Sequence, residues 1–146
     1  MAADKVLLPG VGDASVALSS LRSLGLDSVI PSLKCPVLGI FGTDVVRFRS
    51  DDPSVKIPHM GWNSLTGLES PLFKGLREGS FMYFVHSFYA DCPEEFVTST
   101  AEYGFDVTAS VQRDNVYGCQ FHPEKSSEAG LSILRQFCAI AGGKES

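Results

Sequence analysis

The sequence has few basic residues, no long apolar run and no closely spaced cysteines, and each absence excludes a class of protein. Lys and Arg number 12 against 17 Asp and Glu, a formal net charge of −5, so a nucleic-acid or anionic-membrane partner is not predicted. No apolar run approaches the roughly 20 residues of a membrane span. The amino-terminal residues lack the basic and apolar regions of a secretory signal. We therefore predict a cytoplasmic protein.

The cysteines predict neither a redox pair nor a metal site. Cys35, Cys92, Cys119 and Cys138 are too widely spaced for a CxxC motif or a four-cysteine zinc site. Cys119 with His122 could form half of a metal site, but no second half lies at a suitable spacing. We expect four free thiols, mostly packed inside, and we predict no metal and no cofactor.

The sequence does contain enough apolar residues for one globular domain over residues 1–146, since 44% are hydrophobic. Strand-like and helix-like stretches alternate at first and strands then accumulate, which predicts a mixed α/β sheet between helices. Strands are predicted at residues 5–8, 36–41, 45–48, 57–65, 81–89, 96–103, 107–112 and 116–121. Helices are predicted over residues 13–24, 29–33 and 127–140, the last with Leu131, Leu134, Phe137 and Cys138 on one face.

Three segments have the residue types that a reactive site needs. Pro9-Gly10-Val11-Gly12 lies between a strand and a helix, where glycines expose backbone N–H groups that can hold an anion, although an ordinary tight turn is the simpler interpretation.

The second segment ends a predicted strand on His122, followed by Pro123 and Glu124. Open α/β sheets place their sites at the carboxyl ends of strands. A carboxylate two residues from a histidine can accept a hydrogen bond from one ring nitrogen and leave the other nitrogen as a base. Taken alone, a structural role for this pair stays open.

The third segment is the predicted strand 81–89. Its alternation places Met82, Phe84, His86 and Phe88 on one face. In isolation this pattern favours a core strand with a hydrogen-bonded histidine over a binding site.

Together these segments resemble the class I glutamine amidotransferases. PGVG, PVLGI, PHMGWN, YFVHS and GCQFHPEKS occur in that family's order over nearly the whole chain. The pairing of PHMGWN with YFVHS is similar to the glutaminase subunits of imidazole glycerol phosphate synthase, from histidine biosynthesis. The resemblance implies an incomplete flavodoxin-like α/β fold of three layers, with a mixed sheet and helices on both faces. It also implies that glutamine is the substrate and that the partner, which receives ammonia, is a cyclase subunit.

The resemblance further implies a role for particular residues. His122 is the base and Glu124 orients it, with the backbone of Gly10, Val11 and Gly12 around the oxyanion. The residues implied to lie against glutamine are His86, Ser87 and Phe88. The residues implied to face the cyclase are Pro58, His59, Met60, Gly61, Trp62, Asn63 and Tyr83.

The chain departs from the family at the nucleophile. The family's cysteine follows PVLG in a G-x-C-x-G elbow and is expected near Phe41, but this chain continues Ile40-Phe41-Gly42-Thr43. We interpret this as a deletion across the elbow, together with a shortened amino-terminal region.

None of the four cysteines is a good substitute for the missing one. Cys35 lies about 20 Å from position 41 along an extended strand, and Cys119 lies roughly 10 Å from His122 on the other side of the sheet. Cys92 and Cys138 have no elbow context. Three hypotheses remain: a glutaminase by descent, a non-catalytic chain that still binds the cyclase, and a gene fragment without function. For this chain, the sequence predicts negligible glutaminase activity.

Overall fold

A computed structural model describes residues 3–10, 14–39 and 44–141. Strands within these residues are β1 (Val6–Leu7), β2 (Val37–Leu38), β3 (Asp44–Arg47), β4 (His59–Ser64), β5 (Phe81–His86), β6 (Phe88–Asp91), β7 (Val97–Glu102), β8 (Asp106–Arg113) and β9 (Val116–Cys119). Helices are α1 (Ala14–Ser23), α2 (Leu26–Val29) and α3 (Ser127–Ala139), and 3₁₀ turns occupy Ile30–Ser32, Pro71–Phe73, Glu94–Phe96 and Pro123–Lys125.

The main sheet has the order β1-β2-β9-β8-β7 and is mixed, which confirms the predicted fold class. Strands β1, β2 and β9 run parallel, whereas β8 is antiparallel to both β9 and β7. Two smaller antiparallel pairs, β3-β6 and β4-β5, complete the described sheets. The predicted hairpin between β8 and β9 is confirmed, with Arg113 opposite Val116 across the turn.

Three sequence predictions about burial are wrong. The predicted strand 81–89 breaks at Ser87, and Phe88 is 45% exposed because it starts β6, which pairs with β3. Leu7, expected in a buried strand, is 51% exposed because β1 forms the edge of the described sheet. On α3 the buried residues are Gly130, Ile133 and Phe137, while Leu131 and Cys138 are exposed.

The core lies between α3, β5 and the main sheet. Ile133 and Phe137 are almost fully buried, and the Phe137 ring packs edge-on against Tyr117 with 6.3 Å between centroids. Met82 and Phe84 enter from β5 and are fully buried. Each such side chain contributes about 1.5–3 kcal/mol of transfer free energy, so this contact fixes α3 to the sheet.

A tight junction joins α3 to the turn before it. Gly130 N donates to Ser126 O at 3.0 Å, and a Cβ on Gly130 would lie only 1.9 Å from the carbonyl oxygen of Pro123. Glycine at position 130 is therefore required by the close approach of helix and turn.

The core also holds two buried histidines in contact. His59 is 2% exposed and His86 is 8% exposed, and His59 Nδ1 lies 2.9 Å from His86 Nε2. The His59 ring stacks on Tyr103 and Phe84, with centroids 3.9 and 4.7 Å apart. Burial, with a smaller contribution from His86, lowers the pKa of His59 from its usual value to about 4. Burial also lowers the pKa of His86, against the opposing effect of its hydrogen bond to the Phe88 carbonyl.

We predict that Gly130→Ala destabilises the protein by about 1–3 kcal/mol, because α3 must move away from Pro123 to admit the methyl group. Helix propensity alone would stabilise the alanine variant by about 1 kcal/mol, so it opposes the destabilisation caused by the contact with Pro123. Chemical denaturation measures the change. Leu131→Ala, at an exposed position of the same helix, is the control and should change the stability by no more than about 0.5 kcal/mol. A stabilised Gly130→Ala variant would contradict the close approach.

We predict that the free energy of unfolding falls by about 1–2 kcal/mol between pH 7 and pH 5. The unfolded chain binds protons on His59 and His86 near pH 6.5, whereas the folded chain binds them only at lower pH. Their contribution is therefore complete above pH 6.5 and is lost as the pH falls towards 4. Denaturation at several pH values measures it. His59→Gln should reduce the slope and His122→Gln should retain most of it; equal slopes in both variants would contradict this assignment.

Candidate active site

Parallel pairing brings the predicted site segments to one edge of the main sheet. Leu8 N donates to Leu38 O at 2.8 Å, and Gly39 N donates to Tyr117 O at 2.8 Å. The carboxyl ends of β1, β2 and β9 therefore lie side by side. They lead respectively to Gly10, to the segment that follows Gly39, and to His122. Val11 and Gly12 of the expected oxyanion loop, and Phe41 at the expected nucleophile position, lie outside the described residues.

Gly39 permits the close contact between β1 and β2 at this edge. Its φ is 152°, and a Cβ there would lie 2.6 Å from the Leu8 Cβ and 2.9 Å from the Leu8 carbonyl oxygen. A larger residue would push the two strand ends apart. The glycine of PVLGI thus has a packing role that is independent of any cysteine after it.

His122 and Glu124 form the dyad that the sequence predicts. His122 Nδ1 lies 2.8 Å from Glu124 Oε1, and the side chains are 12% and 58% exposed. Because the carboxylate accepts, Nδ1 carries the hydrogen and Nε2 presents a lone pair. Partial burial raises the pKa of Glu124. The hydrogen bond with His122 and the positive charges of His122 and Lys125 lower it by more, so the pKa lies below its usual value. The carboxyl group thus stays ionised and orients the ring.

Ser126 holds the dyad against β5, a role for which the sequence contains no signal. Its hydroxyl donates to the His122 carbonyl oxygen at 2.6 Å and accepts from Tyr83 N at 2.9 Å. His122 N in turn donates to Tyr83 O at 2.9 Å. Ser126 is fully buried. Such long-range contacts have no local pattern, and only the packing of β5 against the 3₁₀ turn Pro123–Lys125 shows them.

Three of the four cysteines lack the placement expected of the family's nucleophile. Burial raises the pKa of Cys119 to about 12, so its thiolate is negligible at neutral pH. Cys35 lies at the amino end of β2, where its carbonyl oxygen accepts a 2.6 Å hydrogen bond from Asn115, and the dyad lies at the opposite end of the sheet. Cys138 is exposed near the end of α3.

The residues implied to contact glutamine are placed unequally. The His86 side chain is buried, with Nδ1 2.8 Å from the Phe88 carbonyl oxygen and Nε2 against His59. The imidazole therefore has no free nitrogen for a ligand, which supports the core-histidine interpretation. Ser87 is partly buried, and its carbonyl oxygen accepts from Phe48 N at 3.0 Å. Phe88 is 45% exposed. Contact with glutamine at Ser87 and Phe88 stays a prediction.

The residues implied to face the cyclase divide between two faces of the β4-β5 pair. The outer face carries Met60 and Trp62, 61% and 52% exposed, with Tyr83 opposite Trp62 and Phe81 further along the same face of β5. The rings of Trp62 and Tyr83 meet edge-on, with 6.0 Å between centroids. We call Met60, Trp62, Phe81 and Tyr83 the outer apolar face.

The remaining members of that predicted set do not belong to this face. His59 is buried and Asn63 lies on its side of the strand, with Asn63 Nδ2 donating to the Glu102 carbonyl oxygen at 2.8 Å. The assignment of His59 to the partner surface is therefore corrected, because strand alternation turns its side chain inward. Asn63 is partly exposed, and its contact with the partner stays a prediction. Pro58 is exposed and Gly61 is partly buried.

The described residues show no cluster of three or more His, Cys, Asp or Glu side chains that could hold a metal ion. Within the same residues, no helix is long and apolar enough to span a membrane.

Comparisons with known proteins agree with the geometry. The sequence profile of the family "Glutamine amidotransferase class-I" matches residues 3–141. The imidazole glycerol phosphate synthase subunit HisH of Bacteroides fragilis is 41% identical over 160 residues, covering 95% of this chain and 81% of that one. HisH 1 of Campylobacter jejuni is 39% identical over 165 residues, covering 94% and 82%. HisH of Bacillus cereus is 42% identical over 161 residues, covering 94% and 77%.

The lengths of these alignments show internal gaps. The B. fragilis alignment spans 160 positions, whereas this chain has 146 residues, so at least 14 aligned positions have no counterpart here.

Solved structures share the fold. A putative GMP synthase component from Thermoplasma acidophilum superposes with a TM-score of 0.72 at 23% identity, covering 93% of this chain and 71% of that one. A glutamine amidotransferase from Thermotoga maritima gives a TM-score of 0.62 at 16% identity, covering 93% and 63%. The profile match over residues 3–141 is accompanied by the His122–Glu124 dyad at the end of β9. The chain therefore belongs to the class I glutamine amidotransferase family.

Proposed function

We propose that this chain is a HisH-type subunit that binds the cyclase of imidazole glycerol phosphate synthase but does not hydrolyse glutamine at an appreciable rate. The observation that carries the proposal is an ordered His122–Glu124 dyad in a chain with no cysteine between Cys35 and Cys92. The fold and the base are retained, but the group that the base would activate is absent.

The chemistry of the family explains why the dyad alone is insufficient. A thiolate attacks the side-chain amide carbon of glutamine, the histidine returns a proton to the leaving ammonia, and water then hydrolyses the thioester. Without a thiol, His122 Nε2 has only water to activate. Loss of the nucleophile in a subtilisin triad lowered turnover by about 2 × 10⁶, which indicates the size of the effect. The gaps in the relatives' alignments are consistent with a deletion that includes the elbow.

The second half of the proposal rests on the outer apolar face. Three large side chains there, Met60, Trp62 and Phe81, are each more than half exposed, and soluble proteins keep such contiguous apolar patches for contacts. Lys125 Nζ lies 6.0 Å from the centre of the Tyr83 ring and adds a positive charge at the rim. Apolar anchors with a polar rim are typical of protein–protein interfaces. The carboxyl end of β9 lies next to this face through the Tyr83–His122 hydrogen bond.

A catalytic glutaminase is the second candidate, and it is favoured by the family match itself. It requires a thiol from a residue outside the elbow.

We predict that ammonia release from glutamine, measured with the cyclase present, is at least about 10⁴-fold slower than for the B. fragilis relative under the same conditions. His122→Ala should cause no further decrease, because the base has no nucleophile to serve. A rate near that of the relative, or a large decrease in His122→Ala, would favour the catalytic alternative. Iodoacetamide treatment that abolished such a rate would then assign it to one of the four cysteines.

We predict that the cyclase binds this chain. Trp62→Ala should raise the dissociation constant by about 30-fold, as expected for loss of an aromatic anchor that contributes about 2 kcal/mol. Calorimetry with the two purified proteins measures the affinity. Leu24→Ala removes a 71% exposed side chain away from this face and is the matched control, with no change expected. Absence of binding by the unaltered chain, or equal effects of the two substitutions, would contradict docking through the outer apolar face.

A further inference from the structure

All three histidines of the chain lie in one neighbourhood. His86 lies three residues after Tyr83 on β5, and the Tyr83 carbonyl oxygen accepts from His122 N at 2.9 Å. His59 continues the series, with its Nδ1 2.9 Å from His86 Nε2. Asn63 ends it, with its Nδ2 3.3 Å from His59 Nε2. A continuous series of polar contacts thus runs from the Phe88 carbonyl oxygen through His86 and His59 to Asn63 on β4.

The direction of every hydrogen bond in this series is determined. The Phe88 carbonyl can only accept, so His86 Nδ1, 2.8 Å away, must carry the hydrogen. His86 Nε2 therefore accepts, and His59 Nδ1 donates to it. His59 Nε2 then has a lone pair, which the amide N–H of Asn63 satisfies.

Backbone groups fix the far end in the same sense. Asn63 Nδ2 also donates to the Glu102 carbonyl oxygen at 2.8 Å, and Asn63 Oδ1 accepts from Ser64 N at 2.8 Å. Reversing the amide would set oxygen against oxygen at Glu102 and N–H against N–H at Ser64. One arrangement of protons therefore satisfies all members, and both rings are neutral in it.

We propose that His59 is a positioning residue that orders the His86 ring and couples the protonation of His86 to the orientation of the Asn63 amide. When the two rings take up one proton from solvent, it enters at His59 Nε2, and the Nδ1 hydrogen of His59 passes along the 2.9 Å hydrogen bond to His86 Nε2. His59 is then neutral with its hydrogen on Nε2, and Asn63 must turn Oδ1 towards it. This series of contacts joins the end of β5 to β4, the strand that carries Trp62.

Among the described residues, the two rings are packed mainly against aromatic side chains. Phe48 and Phe84 pack against them, and Tyr103 stacks on His59 while its hydroxyl donates to the Lys56 carbonyl oxygen. The titratable groups nearby are thus Tyr103, Tyr89 behind Phe48, and His122. In the part of the chain that the structure describes, no carboxylate is hydrogen-bonded or ion-paired to either ring. The neutral arrangement is the one that the packing favours.

Ring and amide NMR on the ¹⁵N-labelled chain tests the proposal without glutamine or a partner. At pH 7 we expect both His59 and His86 to carry hydrogen on Nδ1 only. As the pH is lowered, the Asn63 side-chain amide signals should shift with the same midpoint as the His86 ring signals. An Nε2–H form of either ring at pH 7, or an Asn63 amide that ignores the His86 titration, would overturn it.

Two substitutions separate coupling from packing. His59→Gln keeps a donor towards His86 and an acceptor towards Asn63, and its amide can reverse, so the Asn63 signals should still follow His86. His59→Phe keeps the ring stacking but has no polar atoms, so the Asn63 signals should lose their pH dependence. Coupling that persists in His59→Phe, or that is lost equally in both variants, would contradict the positioning role.

A third variant gives a measurement at neutral pH that does not need His59→Phe to fold. Asn63→Asp places carboxylate oxygens opposite His59 Nε2, which should then acquire a hydrogen; an unchanged His59 ring would count against the coupling. The role of His122 as a base rests on the proposed function. The ring signals of His59 and His86 are measured without glutamine or the cyclase and do not depend on that function. A protein that couples as expected but fails to bind the cyclase would refute the proposed function and leave this inference standing.

Discussion

The site depends on the pairing of β2, a strand of only two residues, with a parallel neighbour on each side. Val37 and Leu38 are buried, and their backbone receives or supplies hydrogen bonds to β1 and β9 at both ends. Parallel strands begin at one edge and end at the other, so this register alone gathers the end of β1, Gly39 and His122. Any slip of β2 would separate the expected oxyanion loop from the dyad.

Strand β5 connects the chemistry of this edge with the surface proposed for the partner. Tyr83 illustrates this, because its backbone nitrogen and oxygen are bonded to Ser126 and His122 while its ring packs against Trp62. The alternate residues of the same strand, Met82, Phe84 and His86, fill the core. Site, core and outer apolar face thus share one six-residue strand, and a displacement at one of them moves the others.

Local patterns predicted the local features. The His122–Glu124 hydrogen bond spans two residues and the β8-β9 turn is similarly short, so composition and spacing were enough for both. Alternation also placed Met82, Phe84 and His86 together, but it failed at Phe88 because an exposed pairing with β3 begins a new strand there. The contact of His59 with His86 joins residues 27 apart, and Tyr83 meets Ser126 across 43. No sequence pattern encodes such pairs, so the inward orientation of His59 and Asn63 required the structure.

The features that identify the family are independent of the cysteine that performs its chemistry. Gly39 is required by the approach of Leu8, and Gly130 by the approach of Pro123. The dyad is held by the hydrogen bonds of Ser126 to the His122 carbonyl oxygen and of Tyr83 N to Ser126. Each of these constraints comes from packing among the described residues. Similarity to HisH proteins near 40% therefore measures how much of the scaffold is shared, and the activity must be argued from the residues that contact glutamine.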